Sequence, residues 1–326
     1  MKERELKKYS LLSEVAGEYY DLGMSEEEIS RQLCISRTRI SRLLTEARKK
    51  GIVKISINYE LDRIYILEDR LKERYNLTDV RVLNNRGKKA DDIGKGVEKL
   101  AAEYIWDCLK KGMVIGTSWG TTLSNVVQQI HYVPFPVSIV QLMGSVPCRY
   151  PSHTPQGVVS DLAHQLNGSG SFLNVPLYVK DDLVRKALLE DANNRRVANQ
   201  GRFSDMVLTS VGNMHTIHEK DFWKQYLTED LLLEVVEKGA VGSILGRFYD
   251  VHGQEINCLW NKRLVTPTIQ QIIDIPNVVV IAYGEGKSDA LEGALSGGLI
   301  NSLVVDGRTA ATILSFQTLK QQPLYK

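Results

Sequence analysis

The spacing of apolar residues changes character twice along this chain. Over Leu11 to Gly23 (LLSEVAGEYYDLG) it is helical, with Gly23 as the stop. In residues 25–50, SEEEISRQLCISRTRISRLLTEARKK, the apolar set is Ile29, Leu33, Ile35, Ile40, Leu43 and Leu44. These separations put one face of each of two short helices inward, with a tight turn between them. Ser25 and Glu28 have capping-box spacing, and Ser36 stands where it would cap the second helix. After Gly51, the alternation in IVKISINY (52–59) predicts a strand or β-wing. Residues 61–76, LDRIYILEDRLKERYN, carry Ile64, Leu67 and Leu71 on one stripe. This predicts a linker helix, either packed on the next domain or paired between subunits.

From Asp79 onward, short apolar runs alternate with helical segments. The runs are VRVL, MVIGTS, VSIVQLMG, MVLTSVG, VVVIAYG and SLVVD; the helical stretches include VEKLAAEYIWDCLKK, TTLSNVVQQI, DALEGALSGGL and TAATIL. Strands alternating with helices imply βαβ units and a largely parallel sheet covered on both faces, an α/β domain of the Rossmann-like class. The expected division is residues 1–58, a linker at 59–78, and the α/β domain at 79–326.

Charge sharpens the reading of the first segment. Between Arg31 and Lys54 stand eight basic residues and one acid, Glu46, in a chain whose formal net charge is only +2. Such a field suits a polyanion. In a helix-turn-helix the second helix lies in the DNA major groove and reads bases from its first turns. Those turns carry Arg37, Thr38, Arg39 and Arg42, suited to guanine edges and phosphates. Arg31, Ser36, Ser41, Lys49, Lys50 and Lys54 complete the expected contact set for double-stranded DNA. The competing account is a solvated charged helix in an ordinary bundle. No apolar run approaches the roughly 20 residues that span a bilayer, and MKERELKKYS lacks the apolar core of a secretory signal. Cys34, Cys108, Cys148 and Cys258 are scattered, which fits a reducing cytoplasm better than a disulfide framework or a zinc site.

Candidate chemistry sits at strand ends, where open α/β sheets bind ligands. Gly116-Thr117-Ser118-Trp119-Gly120-Thr121-Thr122 follows the strand MVI and opens a helix, the composition of a phosphate cradle. Gly284-Glu285-Gly286-Lys287 adds an ammonium, and Asp306-Gly307-Arg308-Thr309 leads into the last helix. Together they point to a small phosphorylated ligand. The first loop also spells G-x-S-x-G, the nucleophile elbow of α/β-hydrolases, with Ser118 as nucleophile and His252 as the best-placed histidine. No oxyanion loop precedes it, and Thr121-Thr122 fits phosphate better than acyl transfer. His153, His164, His215 and His218 form no metal-ligand pattern, and no cofactor is called for. Asn193-Asn194-Arg195-Arg196 reads as a polar loop or helix end.

With these motifs in order, the chain resembles the SorC/DeoR-type family of bacterial sugar-responsive transcription regulators. The resemblance rests on YYDLGMSEEEISRQLCISRTRISRLLTEARKKGIVKISI, the G-x-S-W-G-T-T loop, IVQLMGS at 139–145, GAVGSILGRFYDVHG at 239–253 and AYGEGKSDALEGALSGGLINSLVVDGRTA at 282–310. It implies an effector domain related in fold to sugar-phosphate isomerases and deaminases, which binds a phosphorylated sugar or polyol without turnover. It also implies a tetramer bound to operator DNA. Carried over residue by residue, Gly116, Ser118, Gly120, Thr121 and Thr122 would line the phosphate pocket and Lys287 would pair with phosphate. Gln141, Gly144 and Ser145 would border the sugar, with Thr117, Glu285 and Asp306 in the same strand-end loops. Two positions depart from the family pattern. Ser243 replaces an acid that accepts hydrogen bonds from sugar hydroxyls, and Met143 replaces a frequently basic residue. Polyol recognition at 243 is therefore altered, and no imine or second phosphate contact comes from 143. A sugar-phosphate isomerase- or deaminase-like enzyme is the competing class. No paired general acid and base stands out in these loops, where Glu285 is the only carboxylate beside Lys287.

Overall fold

A computed structural model describes residues 3–53, 62–133, 135–215, 217 and 221–320. The chain forms two compact units, Met1–Leu61 and Asp62–Lys326. Lys54 and the rest of the expected wing to Tyr59 lie outside the described residues.

The first unit contains α1 (Glu3–Tyr20), α2 (Glu26–Leu33) and α3 (Arg37–Lys49). Its core is Leu12, Val15, Ala16, Ile29, Ile40, Leu43, Leu44 and Ala47, the periodic apolar set plus the small residues that let the helices approach. Helix α1 begins eight residues before the apolar periodicity does. The run ERELKKYS consists mostly of strong helix formers and needs no buried face to stay helical. Lys8 further ties it to Glu46 of α3 at 2.7 Å. Ser25 and Glu28 form the complete capping box. The turn after α2 is made by Cys34 at φ 54°, whose N–H donates to the Ser30 carbonyl. Ser36 occupies the N-cap position of α3, but its side chain makes no capping bond.

The second unit is an α/β layer structure. Helix α4 (Tyr65–Tyr75) leads into β1 (Asp79–Leu83), α5 (Ala90–Cys108), β2 (Val114–Thr117), α6 (Thr121–Val127) and β3 (Ser138–Gln141). Then follow α7 (Pro155–Gln165), β4 (Ser169–Ser171), α8 (Asp182–Glu190), α9 (Ala192–Arg202), β5 (Met206–Thr209) and β6 (Val211–Asn213). The chain continues through α10 (Asp221–Tyr226), α11 (Glu229–Glu237), β7 (Gly242–Ile244), β8 (Arg247–Tyr249), α12 (Leu259–Arg263) and α13 (Ile269–Ile273). It closes with β9 (Val278–Ala282), α14 (Ser288–Ser296), β10 (Ser302–Asp306) and α15 (Gly307–Lys320). Seven strands form one parallel sheet in the order β1-β10-β9-β5-β2-β3-β4; β6, β7 and β8 form a small antiparallel sheet.

The sheet is parallel and covered on both faces, as the apolar runs predict. Successive strand residues enter opposite cores: Val278 and Val280 with Leu303 and Val305 on one side, Val279 and Ile281 with Val304 on the other. Strand β4 and the β7–β8 hairpin were not legible. Ser-Gly-Ser has no β signal of its own, and β4 exists because it pairs with the exposed edge of β3.

Helix α4 packs on the sheet edge, as one of its two expected arrangements requires. Arg63 bridges to Leu83, and the N–H of Ile64 donates to the Val82 carbonyl at 2.9 Å. Buried Glu68 accepts two bonds from Arg63, at 2.8 and 2.6 Å, and one from the Val82 N–H at 2.8 Å. Among the described residues, no helix is long and apolar enough to cross a membrane.

Candidate functional site

Strand order reverses between β2 and β5: the chain runs from β2 outward through β3 and β4, then returns to the other side of β2. In a doubly wound sheet this divergence opens a crevice at the carboxyl ends of the two strands. A pocket of about 510 Å³ occupies that position.

From the end of β2 come Ser118, Trp119 and Gly120, then Thr121 and Thr122 in the first turn of α6. The N–H of Ser118 is spent on the Leu208 carbonyl and that of Gly120 on His153, both at 3.1 Å. Gly120 holds φ 111°, ψ 172°, a conformation that no residue with a Cβ adopts without strain. From the end of β5 come Thr209 and Ser210. The turn after β9 brings Lys287, whose Nζ donates to Ser210 Oγ at 2.9 Å. The β7–β8 hairpin contributes Ser243, Leu245 and Gly246. The segment 147–150, His153, Val211, Gly212 and Trp223 complete the described wall. Two cations, Arg149 and Lys287, line the pocket; among the described residues no carboxylate does. Hydroxyls from Ser118, Thr121, Thr122, Thr209, Ser210 and Ser243 surround them. Such a lining can hold an anionic ligand that carries hydrogen-bonding groups.

Of the expected ligand residues, Ser118, Gly120, Thr121, Thr122, Ser243 and Lys287 come together here. The others lie elsewhere, which corrects their expected place. Gly116 is buried inside β2, where a Cβ would stand 2.7 Å from the Leu142 side chain. Thr117 is wholly buried, its hydroxyl turned to the Ser118 carbonyl. Gln141 is equally buried, donating to the Met143 carbonyl at 2.7 Å and accepting from the Leu173 N–H at 3.2 Å. Gly144 packs against the Pro176 carbonyl, too close for any Cβ. Ser145 is bonded to Gln156. Glu285 is exposed. Met143 lies in the core and leaves the pocket to its neighbours.

Asp306 is also outside the pocket wall, and its place explains why. It is 2% exposed and accepts bonds from Thr309 Oγ1 (2.5 Å), the N–H groups of Gly284 (2.9 Å), Arg308 (3.1 Å) and Thr309 (3.2 Å), and Asn85 Nδ2 (2.9 Å). Burial alone would raise its pKa, but the bonds from Thr309, Gly284 and Asn85 prevail and hold it below the usual value. Asp306 thus pins the turn that carries Lys287 rather than meeting a ligand. Nearby, burial and the bond to Glu98 push Tyr283 up to about 12.

The lining residues that sequence reading missed include Thr209, Ser210, Arg149, Tyr150, His153 and Trp223. Thr209-Ser210 carries the same small hydroxylated signature at a strand end as the loop after β2; the others have no local signal. His252, the expected hydrolase base, does not line the pocket that holds Ser118. His252 stands on an exposed turn beyond β8, and no histidine is hydrogen-bonded to the Ser118 hydroxyl among the described residues. Among the described residues no cluster of potential ligands could hold a metal ion. Asn193-Asn194-Arg195-Arg196 begins α9 under an Asp191 cap, with Asn194 buried and bonded to Asn174 and Leu188.

In the first unit, Arg31, Ser36, Arg37, Thr38, Arg39, Ser41, Arg42, Lys49 and Lys50 are all exposed. Arg37 lies 3.6 Å from Glu26, whereas Arg39 and Arg42 make no side-chain bond among the described residues.

Over residues 59–315 the chain matches the family described as "Putative sugar-binding domain". It is 27% identical to the deoxyribonucleoside regulator of Bacillus subtilis, over 94% of this chain and 98% of that one. It is 30% identical to the transcriptional regulator LsrR of Enterobacter sp. strain 638, over 94% and 93% respectively. The solved structure of the full-length sorbitol operon regulator SorC from Klebsiella pneumoniae superposes with a TM-score of 0.74. That match covers 94% of this chain and 98% of SorC at 24% identity.

Proposed function

The chain belongs to the SorC/DeoR-type family of transcriptional regulators with a sugar-binding domain, and on that premise we propose that it binds operator DNA under the control of a phosphorylated sugar or polyol. The observation that supports the phosphate most directly is the pocket at the β2–β5 divergence. There Lys287 is held by Ser210 in a wall of hydroxyls, with Arg149 and, among the described residues, no carboxylate. A dianionic phosphate gains charge-assisted bonds there and meets no like charge among the described residues. With Ser243 in place of an acid, a neutral hydroxyl meets the sugar at that position.

In this reading residues 1–58 are the DNA-binding domain, 59–78 the linker and 79–326 the effector domain. Helices α2 and α3 act as the helix-turn-helix. A homotetramer is the proposed assembly, and the effector domain is a relative of sugar-phosphate isomerases and deaminases that has kept binding without turnover. Ligand shifts operator affinity only if it prefers one arrangement of the subunits. A coupling of about 1–3 kcal/mol corresponds to about 5–150-fold in DNA affinity.

Thermal unfolding of the full chain against a panel of sugar and polyol phosphates, with the unphosphorylated parents alongside, tests the proposal. One phosphate should raise the midpoint while its parent does not, since a ligand of the folded state stabilises as ln(1 + [L]/Kd). Lys287→Ala should weaken that phosphate by about ten- to a hundredfold, the loss of one charge-assisted bond. A parent sugar that stabilises as well as its phosphate, with Lys287→Ala inert, would sink the phosphate reading.

A further inference from the structure

A second cavity, of about 330 Å³, lies on the far side of the β7–β8 hairpin. The hairpin tip is the shared wall: Leu245 and Gly246 line the switch-point pocket, and the next residue, Arg247, lines the second cavity. Leu245 at φ 49° and Gly246 at φ 82° turn the chain between the two faces. Trp260 Nε1 holds the Gly246 carbonyl at 3.0 Å.

Four arginines line the second cavity, Arg185, Arg195, Arg202 and Arg247, and no carboxylate does among the described residues. Two of them are already compensated from outside the lining. Arg185 binds Asp182 at 2.7 Å, and Arg247 binds Glu255 at 2.6 Å. Arg247, 5% exposed, is further fixed by the carbonyls of Asn261, Thr266 and Pro267. Burial lowers its pKa, Glu255 opposes that, and the nearby charge of Arg185 lowers it further, so positive charges are held together at this wall. Arg195 and Arg202 on α9 make no side-chain bond among the described residues. The buried Thr266 Oγ1, on a residue lining the same cavity, has no hydrogen-bond partner there either.

We infer that this cavity is a second anion site, which takes a small dianion of the phosphate class. Two uncompensated guanidiniums match two negative charges. Planar N–H forks suit phosphate oxygens, and the fixed Arg247 gives one side of the site a rigid floor. At about 330 Å³ the cavity accommodates a phosphoryl group with further atoms attached.

Titration calorimetry with inorganic phosphate at pH 7.5 on the full-length Lys287→Ala chain, whose switch-point pocket is weakened, tests this site. Saturable binding of one equivalent per chain is expected. Arg195→Gln/Arg202→Gln in that background should weaken it by on the order of a hundredfold, about tenfold per guanidinium. Both arginines are exposed on α9, so the unfolding midpoint without anion should not move, which separates lost binding from lost folding. Absence of saturable binding in the Lys287→Ala chain, or an isotherm indifferent to the arginine substitutions, overturns the site. Neither outcome bears on whether the switch-point pocket takes a phosphorylated sugar.

Discussion

Replacing Asp306 with alanine should lower the stability of the second unit by about 3–4 kcal/mol, because it leaves the buried Thr309 N–H and hydroxyl and two part-buried donors without an acceptor at once. Gly284 N–H, Asn85 Nδ2 and the Thr309 hydroxyl all converge on this one carboxylate. The same substitution unties the turn at Gly284, three residues before Lys287, so phosphate affinity should fall along with stability. Asp306→Asn should fall between, since one acceptor oxygen survives while an NH2 group now faces a donor. The carboxyl is more acidic folded than unfolded, so the native state binds fewer protons. Its contribution is therefore complete above the unfolded value of about 4 and is lost as pH falls through the lower folded value. Urea unfolding at pH 7 and at several points below pH 5 checks both statements. A variant with wild-type stability at pH 7, or one as acid-sensitive as the parent, would show that Asp306 is not the pin described here.

Arg39→Ala/Arg42→Ala should cost about 2–6 kcal/mol in operator binding, some 30-fold to 10⁴-fold, at about 1–3 kcal/mol for each base-reading arginine. Both are exposed and bond no neighbouring side chain among the described residues, so the fold of the first unit should be untouched. Lys49→Ala is the contrasting case. As a phosphate contact it should weaken all sequences alike and reduce the salt dependence by about one counterion. Operators selected from random duplexes by the wild-type chain supply the DNA, and binding is measured at several salt concentrations. Unchanged operator affinity in the double variant would remove α3 from the major groove.

The two units differ in how much of them a linear reading could reach. In the first, every core contact joins helices close in sequence, so the spacing of Ile29, Ile40, Leu43 and Leu44 already carried the packing. In the second, the apolar runs identified β1, β2, β3, β5, β9 and β10, because each is a short run buried largely on both faces, the half-buried Asp79 and Arg81 of the edge strand β1 apart. The loops after β2, β9 and β10 were legible for the same reason: a strand end followed by glycine and a helix is a local event. Parallel strand order is not local, since each pairing joins segments separated by a whole crossover. Strand order alone decided which loops meet. β5 inserts beside β2 and brings Thr209 and Ser210 to the pocket. β9 lies two strand spacings from β2, roughly 10 Å, within reach of a lysine side chain. β10 lies three away, roughly 14 Å, so Asp306 acts on the pocket only through Gly284. Gln141 shows the same limit from the other side. It ends the strand adjacent to β2, in register with Thr117, yet its amide turns inward to Met143 and Leu173. Elements and candidate chemistry were thus written in the chain, while the assembly of that chemistry into one site came from pairings that no short stretch of sequence encodes.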